Sequence, residues 1–225
     1  MRMKTVAIVP AAGLGKRLKA ADKKPFVILG GKPLITYSLK ALDSCGWIDA
    51  IIVAAEAHSM ERLKDIIKKH GFKKVFKVVK GGSTRAESVK NCFKAISSDC
   101  DIVVIHDGAR PFLEAKAIRD SIACAKKFGA CVTAVPVTDT VKMAGNDFFV
   151  KNTVDRKHLW KAQTPQAFRY EVLKKAFGRV NNAKGVTDDA MLVERLGIRV
   201  KILEGWAGNI KITTKEDLKL AEVLL

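Results

Sequence analysis

The chain has 225 residues, 48% hydrophobic and 28% charged, with 41 Lys and Arg against 23 Asp and Glu, a formal net charge of +18. This is globular usage, long enough to bury roughly 70% of the unfolded surface, and it excludes a disordered chain. No apolar run approaches the ~18 residues of a membrane helix, and the basic balance asks for anionic partners: nucleic acid, lipid headgroups or phosphorylated metabolites.

Arg2 and Lys4 precede Val6–Val9, a run too short for a signal peptide and interrupted by Pro10. Thr5–Val9 reads instead as a strand entering a glycine-containing loop. Leu34, Tyr37, Leu39 and Leu42 have helical spacing. Ile51–Val53 is a strand, Ser59–His70 a helix with Leu63, Ile66 and Ile67 inward, and Val75–Val79 a strand. Lys64, Lys68, Lys69, Lys73, Lys74, Lys77 and Lys80 form the densest basic cluster and read as a solvated outer face. Gly81-Gly82-Ser83 is a turn before a helix from Arg85 to Ile96. Ile102–Ile105 is a buried strand, Asp107–Pro111 a loop, Glu114–Phe128 a helix and Cys131–Val135 a strand. The alternation predicts an α/β fold with a mainly parallel central sheet and helices on both faces.

The rhythm breaks at Pro136. Thr140–Met143 and Phe148–Val150 flank Ala144–Asp147, which reads as a β-hairpin arm. Exposed Phe and Val on such an arm favour docking over immersion in water. Helices follow over Tyr170–Val180 and Asp188–Leu196, then strands over Arg199–Leu203 and Ile210–Ile212. The last helix opens at Thr213, with Glu216 at capping-box spacing. Trp160 and Trp206 are expected to pack. The five cysteines (45, 92, 100, 124, 131) are scattered without C-x-x-C, which argues for reduced thiols in a cytoplasm and against a zinc ribbon. Cys92 and Cys124 fall on helices with no adjacent base and read as core.

Ligands of an open parallel sheet bind beyond the carboxyl ends of its strands, and three loops there carry glycine or charge. The first, Pro10-Ala11-Ala12-Gly13-Leu14-Gly15-Lys16-Arg17, is neither a P-loop nor a dinucleotide fingerprint. Its glycines, with Lys16, Arg17, Lys23 and Lys24, suit a triphosphate; an ordinary glycine turn beside surface lysines is the alternative. The second, Gly81 to Ser88, sets Arg85 and Ser88 one helical turn apart, facing a ligand or simply starting a helix. The third is His106-Asp107-Gly108-Ala109-Arg110-Pro111. Its acid and Arg suit ribose, metal or anion chemistry, or form a structural salt bridge, and His106 reads as packed rather than as a zinc ligand.

In this order the motifs resemble one family. They are Pro10-Ala11-Ala12-Gly13-x-Gly15-x-Arg17; Lys24 before an aromatic; Gly81-Gly82-x-x-Arg85-x-x-Ser88; His106 to Pro111; Thr153-Val154-Asp155-Arg156-x-x-Leu159-Trp160-x-Ala162-x-Thr164-Pro165-Gln166; Thr187-Asp188; and Asn209-Ile210-Lys211-Ile212-Thr213. They resemble the 2-C-methyl-D-erythritol 4-phosphate cytidylyltransferases of the non-mevalonate isoprenoid pathway, from about residue 5 to 225. Ala-Ala-Gly in the first loop and Ala109 in the third separate the chain from the ribitol-5-phosphate cytidylyltransferases, the nearest alternative. The family lysine falls on Lys24 when the hydrophobics after Lys23-Lys24-Pro25-Phe26 are aligned.

The resemblance implies a single Rossmann-like nucleotidyltransferase domain over 1–225, with a protruding β-arm at 137–158. It implies CTP and methylerythritol phosphate as substrates and pyrophosphate as a product. The attacking phosphate is ionised at neutral pH, so no general base is needed, and none is evident. By resemblance Arg17 and Lys24 flank the α-phosphate, while Arg156 and Lys211 hold the acceptor phosphate; these four are the catalytic set. Pro10, Ala11, Ala12, Gly13, Gly15, Gly82, Arg85, Ser88 and Asp107 would bind the nucleotide. Asp107, Arg110, Thr140, Arg156, Thr187 and Lys211 would bind the acceptor. Mg²⁺, or another divalent cation, is implied for the triphosphate, with Asp107 the first carboxylate to consider as a ligand. The resemblance also implies a homodimer whose crossed arms carry Thr140 and Arg156 into the partner's site, and no nucleic-acid or membrane partner. A basic nucleic-acid-binding protein would explain +18 but not the ordered motifs, and 7% aromatics offer few stacking platforms.

Overall fold

The computed structural model describes residues 3–13, 18, 22–179 and 185–225. The first half runs β1 (Thr5–Pro10), β2 (Ile28–Leu29), β3 (Lys32–Pro33), α1 (Leu34–Ser44), β4 (Ala50–Ala55), α2 (Met60–His70), β5 (Val75–Lys80), α3 (Arg85–Phe93) and β6 (Ile102–Ile105). The second runs α4 (Ala115–Phe128), β7 (Ala130–Pro136), β8 (Val141–Ala144), β9 (Val150–Val154), β10 (Trp160–Arg169), α5 (Tyr170–Arg179), α6 (Asp189–Glu194), β11 (Lys201–Glu204) and α7 (Lys215–Leu224).

Seven strands form one sheet in the order β11-β7-β10-β6-β1-β4-β5. All neighbours are parallel except β10, which runs antiparallel to both β6 and β7. Alternate β1 residues divide the core. Ala7 and Val9 join Ile35, Leu39, Leu63 and Ile118 beneath α1, α2 and α4. Val6 and Ile8 join Val89, Phe93, Leu173 and Leu192 beneath α3, α5 and α6. A strand buried on both faces reads as an unbroken apolar run, which is why β1, β4 and β6 stand out in the sequence. Gly71 ends α2 with φ 68, the left-handed conformation that glycine takes without a Cβ clash.

Several expectations change. β10 has no strand signature, because Pro165 interrupts it and the pairing with β7 shifts between Ala162 and Gln166. Its direction follows from the arm: β7 runs out into β8, β9 returns, and Trp160 pairs opposite Pro136. The second arm strand begins at Val150 rather than Phe148, since Phe148 turns at φ 63. Ile210–Ile212 is not a strand; the Ile212 N–H donates to the Ala109 carbonyl at 2.9 Å. The last helix is capped one residue later, by Thr214 with Asp217. The Asp217 carboxylate accepts from the backbone of Thr213 and Thr214 and from the Thr213 hydroxyl, an arrangement its short side chain can reach. Trp160 and Trp206 remain 38% and 39% exposed rather than packed. The hairpin itself is as expected, with Phe148 91% and Phe149 76% exposed. All five cysteines are free; Cys92 is buried, and burial pushes its thiol up to about 12.

Candidate active site

The parallel strands aim two glycine loops at one another. The Ala11 N–H donates to the Ala54 carbonyl (2.8 Å), and the Gly81 N–H donates to the Ala55 carbonyl (2.7 Å). A Cβ on Gly81 would collide with the Ala12 methyl, so the loops approach this closely only because position 81 is glycine. The Gly82 N–H donates to the Ser88 hydroxyl (3.1 Å), which donates to the Thr84 carbonyl (2.9 Å). Thr84 caps α3 by accepting from the Glu87 N–H. The Glu87 carboxylate accepts from the N–H and hydroxyl of Ser83, both at 2.7 Å, and so ties down the lip.

Between the loops lies a cleft of about 650 Å³. Pro10, Ala11, Ala12, Gly13, Lys24, Gly82, Arg85, Ser88, Asp107 and Lys211 all line it, as do Glu56, Ser83, Thr84 and Thr213. Lys24 opens a short 3-10 turn whose Pro25 and Phe26 are buried. Lys23 is paired with Glu56 at 2.5 Å. Gly15 and Arg17 lie outside the described residues.

The floor of the cleft is a charge cluster centred on Asp107, only 6% exposed. Its Oδ1 accepts from Arg85 Nε (2.8 Å), while Oδ2 meets Lys211 Nζ (2.8 Å) and Arg110 Nε (3.6 Å). Burial alone would raise this carboxyl, but Arg85, Lys211 and Arg110 override it and hold it far below the usual carboxylate range. Arg85 Nη1 also donates to Asp189 Oδ2 at 2.7 Å. Arg110 donates to the Asn209 carbonyl (2.6 Å), and Asn209 donates to the Thr164 carbonyl (2.7 Å). These bonds, with the Ile212–Ala109 bond, bring Lys211 beside Asp107. His106 is packed, its ring nitrogens on the Thr164 hydroxyl (3.0 Å) and the Arg110 carbonyl (3.1 Å). Complete burial pushes it down to about 4, so it is neutral at pH 7.

A second cavity, about 220 Å³, lies beyond the cluster, lined by Arg110, Thr187, Gln163, Thr164, Gln166 and Asp188. It shares Arg85, Asp107 and Lys211 with the first. Thr140 and Arg156 line neither cavity of their own chain. Arg156 stands exposed at the base of the arm and donates to the Thr138 carbonyl.

No group of three or more His, Cys, Asp or Glu among the described residues could hold a metal. Asp107 does not fit as a direct ligand, because three cations already occupy its oxygens. Glu56, Gln163 and Asp189 belong to the site without having been singled out in the sequence. Gln166 and Asp188 stood in recognised motifs without a role.

A largely parallel sheet with a glycine-lined, cation-rich cleft at its carboxyl edge, adjoining a second cationic cavity, defines a nucleotide-binding transferase that brings two anions together. The model of the 2-C-methyl-D-erythritol 4-phosphate cytidylyltransferase family matches residues 5–225. The enzyme of that name from Alkaliphilus oremlandii is 44% identical, covering 99% of this chain and 95% of its own. The one from Caldanaerobacter subterraneus is 42% identical over 99% of each. The crystal structure of 4-diphosphocytidyl-2C-methyl-D-erythritol synthase from Anaerococcus prevotii superposes with a TM-score of 0.87 at 30% identity, covering 100% of this chain and 99% of that one. The chain belongs to the 2-C-methyl-D-erythritol 4-phosphate cytidylyltransferase family. It transfers a cytidylyl group from CTP to methylerythritol phosphate, releasing pyrophosphate, in isoprenoid biosynthesis. The matches do not favour the ribitol-5-phosphate alternative.

Proposed function

We propose that CTP occupies the larger cleft and the acceptor phosphate the smaller cavity, with transfer at the wall they share. The observation that carries this reading is that Asp107, Arg85 and Lys211 line both. Cytosine lies against Gly82 and Ser88, and the triphosphate follows the backbone of Pro10–Gly13. Arg110, Thr187 and Lys211 hold the acceptor phosphate. An acceptor phosphate oxygen attacks the α-phosphorus, and the bond from that phosphorus to the oxygen bridging the α- and β-phosphates breaks. Pyrophosphate leaves with that electron pair.

Lys24 and Arg17 stabilise the charge that grows on the α-phosphate, each worth about 3–4 kcal/mol as a preorganised donor. Holding both anions in line supplies the rest as proximity. His106, buried and neutral, takes no proton. Mg²⁺, or another divalent cation, enters on the triphosphate as part of the substrate, held by phosphate and water rather than by Asp107. The chain acts as one nucleotidyltransferase domain, and the 137–158 arm pairs two copies so that Thr140 and Arg156 complete the partner's acceptor cavity. The apolar arm tip supports this dimer. The free thiols suit a cytoplasm, and no helix among the described residues is long and apolar enough to cross a membrane.

The test is pyrophosphate release with CTP, UTP, ATP or GTP against methylerythritol phosphate or ribitol 5-phosphate, with Mg²⁺ and with EDTA. CTP, methylerythritol phosphate and Mg²⁺ together should give the fastest turnover. Full turnover in EDTA would remove the metal from the reading, and faster transfer to ribitol 5-phosphate would overturn the acceptor assignment.

A further inference from the structure

Asp189, the first residue of α6, is fully buried and lines neither cavity. Its backbone N–H and that of Ala190 donate to Gln166 Oε1 at 3.1 and 3.0 Å, while Gln166 Nε2 donates to Asp188 at 2.9 Å. β10 therefore fixes where α6 begins. One carboxylate oxygen, Oδ2, accepts from Arg85 Nη1 at 2.7 Å, and Oδ1 has no hydrogen-bond partner among the described residues. Burial pushes this carboxyl up from its ordinary value, with Arg85 pulling the other way. A well-packed apolar residue would often serve stability as well or better in such a place, so a buried acid asks for another reason.

The geometry supplies one. Asp189, Arg85, Asp107 and Lys211 form an unbroken series of alternating charge, with links of 2.7, 2.8 and 2.8 Å. The planar guanidinium bridges the two acids with different nitrogens, so neither acid can shift without turning it. We propose that Asp189 is a positioning residue for the transfer: through Arg85 it fixes Asp107, and through Asp107 it holds the Lys211 ammonium at the wall between the cavities. This rests on the reading of Lys211 as a ligand of the acceptor phosphate. It makes Arg85 first a strut and only second a ligand of the nucleotide.

The experiment is a double-mutant cycle on the full-length enzyme, read in single turnovers so that weak variants remain measurable. Asp189→Asn keeps the shape and removes the charge. It should lower kcat/KM for methylerythritol phosphate about 10-fold or more in the wild-type background, and less than 2-fold in Lys211→Ala. A residue that merely supports the fold would cost the same factor in both backgrounds, and that result would overturn the proposal. An unaltered Asp189→Asn enzyme would do the same. If Lys211→Ala itself keeps normal turnover, the reading of Lys211 fails, and the inference with it. Should Asp189→Asn not fold, Arg85→Lys replaces it in the same cycle; it keeps the charge but cannot span both acids, and equal losses in the two backgrounds would again overturn the proposal.

Discussion

Two adjacent lysines that sequence alone leaves side by side are separated by where the fold places them. Lys24 lines the cleft where the triphosphate is proposed to lie, and Lys23, whose ammonium is 2.5 Å from Glu56, does not. Lys24→Ala should therefore lower kcat by about 10²–10³ while KM for CTP stays within a few-fold, because the lost interaction strengthens as charge grows on the α-phosphate. Lys23→Ala should stay near wild type. Steady-state kinetics of the two variants check this, and the reverse pattern would move the family alignment by one residue. The same contrast explains what was legible in the site. Lys24, Asp107 and Lys211 stand in motifs that resemblance could place. Asp189 gains its role from Arg85, 104 positions away, and the second of two adjacent acids at a helix start carries no sign of that. Glu56 likewise takes its place from Lys23, across a tertiary contact.

At the scale of the element, the short turn that bears Lys24 is held from outside the cleft. Arg62 on α2 makes a two-pronged pair with Asp22, at 2.8 and 2.5 Å, and its guanidinium lies 4.3 Å from the centre of the Phe26 ring. Asp22 and Arg62 are partly exposed, 36% and 53%, so the pair adds only about 0–1 kcal/mol to stability. Its effect should instead fall on position, since small displacements of a catalytic group are costly in rate. Arg62→Ala should lower kcat about 3–10-fold with the melting temperature changed by only a few degrees. Arg62→Lys, lacking the fork, should recover only part of the loss. Kinetics and thermal melting measured together decide this; an unchanged kcat would mean that burial of Pro25 and Phe26 positions the turn unaided. Legibility of elements followed burial in a similar way. β1, β4 and β6 are covered on both faces and read directly as apolar runs. β10 is as central but carries Gln163, Thr164 and Gln166 for the site and is interrupted by Pro165, so its pattern serves the cavity rather than the sheet. Ile210–Ile212 has strand-like composition, yet its backbone bonds to Ala109 and delivers Lys211.

For the whole molecule, the proposed site is incomplete without the arm of a second copy. The arm leaves the sheet between β7 and β10, carries Phe148 and Phe149 largely exposed, and holds Arg156 outside its own chain's cavities. Arg156→Ala should raise KM for methylerythritol phosphate and cut kcat with little change in CTP affinity, because the cleft proposed for the triphosphate is elsewhere. The sharper test mixes two inactive proteins. In a dimer with crossed arms, each site draws Lys24 from one subunit and Arg156 from the other. A heterodimer of Arg156→Ala with Lys24→Ala then has one site with both defects and one with neither. Each mixed dimer should recover up to about half the wild-type rate if the sites act independently, and random pairing, in which about half the dimers are mixed, should give about a quarter overall. The measurement is turnover after co-expression, with the mixed dimer isolated through two different affinity tags. Mixed dimers that form but remain inactive would place Arg156 in its own subunit's site, and the crossed-arm arrangement would be wrong.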